Sequence, residues 1–159
     1  KAFRDAVESG VLYSCVVPGS GNIIGGQSAV IRNYANDSTA ALIARAGLKA
    51  AFGYNPMSTR SWQGKRPNTR MGAIAILRGR LEEVRRKTKK FRKAKGSKKE
   101  EITFSAEDTV LQDLLAGKFR LRAHVHKIDD IAALLRLVDD YKLKLTVEHA
   151  SDVYHSEIF

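Results

Sequence analysis

The chain has 159 residues, of which 43% are hydrophobic and 28% charged, and its net charge is +11. This composition is typical of a soluble globular protein with one core. No apolar run approaches the roughly 18 residues that a membrane-spanning helix needs, and KAFRDAVESG has no apolar signal core, so we expect no membrane partner. The single cysteine, Cys15, lies in an apolar run, which favours a buried thiol and a reducing cytoplasm.

The first elements follow from local patterns. Residues 2–8 are predicted to be helical up to Gly10, and Val11–Val17 is predicted to be a strand. The next segment, PGSGNIIGGQS, is rich in glycine but has neither GK[ST] nor a G-x-G-x-x-G that opens a helix, so it does not favour nucleotide binding. Loops after parallel strands often carry ligand sites, so we expect Asn22 and Gln27 to face one.

The middle of the chain alternates between predicted strands and helices. Strands are predicted at Ala29–Tyr34 and Leu48–Phe52, with a helix between them that starts at Ser38 or Thr39 and continues to Arg45. A long loop then covers Gly53–Asn68. The next helix is capped by Asn68 or Thr69, and one apolar face is predicted along it, consisting of Met71, Ile74, Leu77, Leu81 and Val84.

Much of the positive charge comes from one segment, RRKTKKFRKAKGSKK at 85–99. The sequence favours a solvated helix end and a basic loop over 85–101. Lys and Arg clusters also bind phosphates, but Phe91 is the only aromatic residue in the segment and no nucleic-acid module is recognisable. A short helix, Glu107–Ala116, follows and ends at Gly117.

The stretch Phe119–Ser151 is predicted to form two parallel strands joined by one helix. Asp129 and Asp130 lie in the first turn of that helix, where negative charge suits the helix dipole. The first strand ends with His124 and His126, whose face is predicted to be the inner one, and the second ends with Glu148 and His149. Either Glu148 or His149 could point inward. Because neighbouring strand ends lie side by side, His124 and His149 form a candidate metal site, although a catalytic zinc needs about three protein ligands.

The predicted fold is α/β, a partial (β/α)8 barrel of the TIM type with about four or five parallel strands and flanking helices. A closed barrel usually needs about 250 residues, so residues 1–159 are expected to form a single incomplete domain.

Five motifs occur along the chain in this order: VVPGSGNIIGGQSAVI, GLKAAFGYNP, NTRMG, LRAHVHKIDDI and LTVEHAS. In this order and spacing they resemble the amidohydrolase superfamily, in particular its imidazolonepropionase-related and metal-dependent peptidase branch. The resemblance implies a barrel with one or two divalent metals at the strand ends, zinc first among them. It implies hydrolysis of an amide, cyclic amide or peptide-like C–N bond by metal-activated water. His124 and His149 would be metal ligands from strands five and six.

By the resemblance His126 would lie in the second shell or face the substrate, and Arg70 and Gln27 are further candidates for the substrate side. Tyr54 stands where relatives carry a glutamate, and a phenol is a poor substitute for a bridging carboxylate. No strand-one H-x-H and no strand-eight aspartate match this chain, so we expect no catalytic residue in it, incomplete metal binding and no turnover. The chain is therefore interpreted as the central fragment of a cytoplasmic hydrolase that acts on a small or peptide-like substrate.

Two other functions stay open. The alternative is a basic α/β nucleic-acid-binding domain that uses the 85–99 cluster, although the sequence does not favour nucleic acid as the partner. A partial barrel also leaves strand edges exposed, so self-association through these edges is a further expectation.

Overall fold

The structure is a computed structural model that describes residues 1–58, 67 and 69–155, the last of these by its backbone alone. The strands are β1 (Tyr13–Val16), β2 (Ile24–Arg32), β3 (Leu42–Ala51), β4 (Leu121–Val125) and β5 (Leu145–His149). The helices are α1 (Ala2–Glu8), α2 (Ser38–Ala41), α3 (Tyr54–Ser58), α4 (Arg70–Lys93), α5 (Ser97–Glu100), α6 (Ala106–Leu115) and α7 (Ile128–Tyr141), and a 3₁₀ turn spans Val153–His155.

The five strands form one curled sheet in chain order, β1-β2-β3-β4-β5, with flanking helices. The α/β fold class is thus confirmed, and the sheet is consistent with part of a barrel. Parallel pairing holds from β3 to β5, as the sequence predicts. The prediction of parallel pairing is wrong for β1–β2 and β2–β3, which pair antiparallel. Their connections are too short for the crossover of a dozen or more residues that parallel neighbours need.

The core lies on one face of the sheet, beneath α4, α6 and α7. Alternate residues of β4 point into it, because side chains on a strand alternate between faces. The largest fully buried side chains are Phe52, Leu48, Leu77, Leu81, Leu111, Leu114, Leu121, Ile131, Leu134, Leu137, Val84 and Val125. The other face of β4 carries Arg122 and His124, so the predicted division of this strand into an apolar and a polar face is confirmed.

Several local predictions are wrong. The segment 42–45 belongs to strand β3 instead of a helix, and Asp37 caps the short helix α2 before it. Cys15 is exposed on β1. Met71 is exposed, and Ala73 takes its place on the buried face of α4.

The predicted basic loop is helical over most of its length. Helix α4 continues to Lys93, with α5 after it. Thr69 caps α4, accepting a hydrogen bond from the backbone N–H of Gly72 at 3.0 Å, whereas Asn68 and most of the predicted 53–68 loop lie outside the described residues. None of the helices in the described part of the chain has the length and apolarity to cross a bilayer.

Candidate metal centre

The predicted unit at Phe119–Ser151 is confirmed: β4, α7 and β5 follow one another, and β4 and β5 pair in parallel. The register aligns Ala51 of β3, His124 of β4 and Glu148 of β5 across the sheet. These positions lie near the carboxyl ends of three parallel strands, and such strand ends are where α/β proteins place their sites.

Both candidate residues at the end of β5 belong to the site region, in different ways. Glu148 is aligned with His124, whereas His149 is aligned with Val125, whose side chain is buried in the core. The backbone turns at this point, with φ of 75° at His149 and 50° at Ala150. These left-handed values are rare outside glycine and break the alternation of the strand. The His149 ring thereby reaches the His124 ring, with 4.5 Å between the centroids.

His126 completes a cluster of three imidazoles. Its ring centroid lies 4.6 Å from that of His124 and 5.0 Å from that of His149, and the His126 and His149 rings are stacked. One ligand atom from each residue lies within 4.8 Å of the other two. The sequence predicted the pair His124 and His149, and the structure adds His126 to them.

The buried ring of His124 is neutral. Its exposure is 4%, and this burial lowers its pKa to about 4, with the nearby His149, His126 and Lys49 adding to the effect. Neutral imidazole is the form that binds metals. Nε2 lies 3.2 Å from Nδ2 of Asn55, whereas the buried Nδ1 has no hydrogen-bond partner among the described residues.

Polar neighbours hold the other parts of the cluster. Nδ1 of His126 lies 2.8 Å from the Ser151 hydroxyl, and this contact orients the ring. Nε2 is then the ring nitrogen that could bind a metal. Asn55 is the second residue of α3 and was not identified as a site residue from the sequence. The sequence could have indicated Asn55 as a site residue, because it lies in the GYNP segment just beyond the carboxyl end of the parallel strand β3.

The Glu148 carboxylate is held by two cations. Arg122 donates to Oε1 at 2.7 Å, and Lys49 lies 3.3 Å from Oε2 and donates to the Ser20 hydroxyl at 3.1 Å. Burial alone would raise the pKa of Glu148, but the Arg122 hydrogen bond and the Lys49 charge outweigh it and leave the pKa below its usual value. Glu148, Arg122 and Lys49 therefore form a charged cluster beside the histidines, and both carboxylate oxygens of Glu148 are engaged in ion pairs.

The remaining predicted residues are not brought into this cluster. Tyr54 is 75% exposed on α3. Gln27 lies on β2, two strands away from β4, and lines a different cavity of about 620 Å³ against α4 and α6. Arg70 lies at the start of α4, where it donates to Asp130 at 2.8 Å and approaches Asp129 at 3.6 Å.

The donor set fits a divalent metal. Three imidazoles converge, the buried one is neutral, and one of its nitrogens has no hydrogen-bond partner within the described part of the chain. Bonds of about 2.1 Å from a tetrahedral ion place its ligands about 3.4 Å apart. Atoms that lie within 4.8 Å of one another therefore need to approach by at most about 1.4 Å to hold such an ion.

Comparison with known proteins gives one functional clue. No family model matches the chain, and no curated protein matches it. The solved structure of an amidohydrolase from Thermotoga maritima MSB8 is similar to 97% of the chain, with 32% identity and a TM-score of 0.83. The chain spans 40% of the length of that protein. The chain is thus similar in sequence and in fold to part of an amidohydrolase.

Proposed function

We propose that this chain contributes metal ligands to an amidohydrolase that cleaves a C–N bond in an amide, cyclic amide or peptide-like substrate. The observation that carries the proposal is the convergence of His124, His126 and His149. The similarity to an amidohydrolase supports the reaction class. Within that family we favour the imidazolonepropionase-related and metal-dependent peptidase branch, on the motifs given above, and zinc as the metal.

His124 and His149 are the proposed strand-end ligands, and we now add His126 as a third ligand. A bound divalent ion would supply a Lewis acid that polarises the substrate carbonyl and lowers the pKa of water. The chain's own residues orient the ligands: Ser151 contacts the His126 ring, and Asn55 contacts the His124 ring. The ion pairs of Glu148 with Lys49 and Arg122 hold β3, β4 and β5 together beside the ligands.

The test is direct titration of the purified chain with Zn²⁺ and with Co²⁺, followed by calorimetry and by the visible absorption of cobalt. We expect His124→Ala and His149→Ala each to weaken binding at least tenfold, because each removes one of about three ligands. Cys15→Ser is the matched control, since Cys15 is an exposed thiol away from the cluster that could bind zinc adventitiously.

Binding that is unchanged in both histidine variants, or lost in Cys15→Ser, would overturn the metal site. The chain alone is expected to bind metal weakly and to hydrolyse none of a panel of amide substrates. Stoichiometric zinc with full turnover would contradict the interpretation of the chain as part of a larger catalytic unit, while leaving the ligand assignment intact.

A further inference from the structure

A second surface, which we call the basic groove, lies between α4, α6 and α7. It is a cavity of about 920 Å³ lined by fourteen residues. Its cations are Arg85, Lys89, Arg92, Lys93, Lys118 and Lys142. Its two acids are already paired, Asp113 with Lys118 at 2.7 Å and Asp140 with Arg78 at 2.8 Å. The groove therefore presents excess positive charge.

The basic groove and the metal centre lie at opposite edges of the sheet. It is lined by the C-terminal halves of α4 and α6 and by the end of α7 at Tyr141 and Lys142. Helix α7 leaves the carboxyl end of β4 and returns to the start of β5, so its own end lies at the opposite edge of the sheet from the histidines. The groove and the metal centre are consequently separate sites.

Local structure explains only part of this charge. Cations in the last turn of a helix are stabilised by its dipole, which applies to Lys90, Arg92 and Lys93. Residues 85–99 nevertheless contain ten of the 28 cations and no acid. Within the described part of the chain, Lys89, Arg92 and Lys93 have no ion-pair partner.

The spacing of the cations suits a phosphate backbone. Arg85, Lys89 and Arg92 lie at i, i+4 and i+7, which places them on one helix face over about 10 Å. That length corresponds to about three base pairs of a duplex, where each strand carries one phosphate per 3.4 Å or so along the axis. The side of the groove formed by α4 is thus a short row of positive charge.

The groove lacks the features of a membrane or single-strand site. None of the exposed large apolar side chains in the described residues lies between 85 and 142, whereas a membrane-binding surface needs such anchors. Its aromatic residues are engaged within the protein: Phe91 packs edge-on against Phe104 at 5.4 Å, and Tyr141 is buried. No aromatic platform is left for stacking unpaired bases.

We propose that the basic groove binds the phosphate backbone of duplex nucleic acid, without reading its sequence. Lys89, Arg92 and Lys93 make the main contacts, with Arg85 as a fourth. The binding is independent of the metal centre. Non-specific complexes of this kind have dissociation constants of about 10⁻⁴ to 10⁻⁶ M at physiological salt.

The test is fluorescence anisotropy of a labelled random DNA duplex of about 20 base pairs with the whole chain, over a range of salt. Four contacts predict a slope of about −3.6 for log K against log salt, and so a loss of about 100-fold between about 50 and about 200 mM. The combined variant Lys89→Gln, Arg92→Gln and Lys93→Gln should flatten the slope by about 2.7 and weaken binding at least tenfold at low salt.

The matched control changes three exposed cations elsewhere, Arg4→Gln, Arg45→Gln and Arg136→Gln. It removes the same net charge, and we expect it to keep most of the affinity. Glutamine is a good helix former, so the three groove substitutions in α4 should leave the helix intact. Circular dichroism of both variants checks that they fold. An RNA duplex of the same length distinguishes the two nucleic acids, and binding to either supports the proposal.

Three results would overturn it: equal affinity of the groove variant and the wild type, equal loss in the control, or tighter binding of anionic phospholipid vesicles or polyglutamate than of the duplex. His124→Ala should leave duplex binding unchanged. A failure of the metal-binding test therefore has no bearing on this result.

Discussion

At the scale of single residues, the glycine with the least room for a side chain, among the glycines that the structure describes, lies on β3. A Cβ atom at Gly47 would lie 2.6 Å from the carbonyl oxygen of Arg120 and 2.9 Å from Cγ of Arg122. The φ of Gly47 is +154°, which side chains rarely adopt. Strand β3 thus approaches the start of β4 at a distance that only glycine allows.

We expect Gly47→Ala to lower the free energy of unfolding by about 2 kcal/mol or more, because the backbone oxygen of Arg120 cannot move without disturbing the pairing of β3 with β4. Urea denaturation followed by circular dichroism measures the change.

Gly79→Ala is the control for that substitution. Gly79 lies within α4, and a Cβ atom there would meet nothing within 4 Å. Alanine should stabilise the protein by up to about 1 kcal/mol, since it is the better helix former. If both substitutions changed stability by the same amount and sign, the close approach at Gly47 would be disproved.

At the scale of elements, α6 is attached to α4 through its first turn. Ser105 and Asp108 form a capping box, in which each side chain accepts a hydrogen bond from the backbone N–H of the other. The buried Asp108 carboxylate also accepts from Lys87 at 2.6 Å and from Arg80 at 3.3 Å. One carboxylate therefore caps a helix and links it to its neighbour.

The hydrogen bond from Lys87, followed by that from the Ser105 backbone, lowers the pKa of Asp108 below its usual value of 3.8. A lowered pKa stabilises the fold above the ordinary pKa, and this contribution is lost as pH falls through the pKa of the folded protein. Asp108→Asn should cost about 2 kcal/mol near pH 7 and weaken the dependence of stability on pH below about 4.

Urea denaturation at pH values from about 7 to 3 tests this prediction. Asp139→Asn serves for comparison, since Asp139 pairs with Lys142 on the surface and should matter by less than about 1 kcal/mol. Parallel pH curves for wild type and Asp108→Asn would show that Asp108 contributes nothing to the acid transition.

The elements also show which parts of the fold the sequence encodes locally. The β4–α7–β5 unit was predictable because alternation, helical periodicity and the acidic first turn all agree there. The first half of β3 was not, since Ala-rich ALIARAG has helical propensity, and pairing of Arg45 and Ala44 with β2 overrides it.

Only part of the candidate site was predictable from the sequence. His124 and His149 lie at strand ends, which the sequence locates. The position of the His149 ring depends on a left-handed backbone that no residue preference signals in a histidine, so the choice between Glu148 and His149 stayed open. The contact of Asn55 with His124 joins residues 69 positions apart and needs the folded sheet.

At the scale of the whole molecule, β1 and β5 end the sheet, each paired on one side among the described residues. Exposed apolar side chains concentrate on and around β1 to β3, at Val11, Leu12, Tyr13, Val16, Leu42 and Ile43. An unprotected strand edge next to apolar surface favours pairing with another chain.

We therefore expect the chain to self-associate as its concentration rises, and Val16→Lys to reduce this, because a charge on an edge strand opposes pairing. Sedimentation velocity measures the mass. Met71→Lys is the control, since Met71 is an even more exposed apolar side chain (81% against 45% for Val16) and lies on α4, away from the strand edge. A wild-type monomer at all concentrations, or an equal effect of the two lysines, would refute pairing through β1.

The order of strands in the sheet is also their order in the chain. As the polypeptide leaves the ribosome, each strand from β2 to β5 meets a partner that has already been synthesised. The sheet can then grow from β1 by adding one strand at a time. Limited proteolysis of stalled nascent chains should show protection of β1 to β3 before β5 emerges, and protection only after β5 would exclude this route.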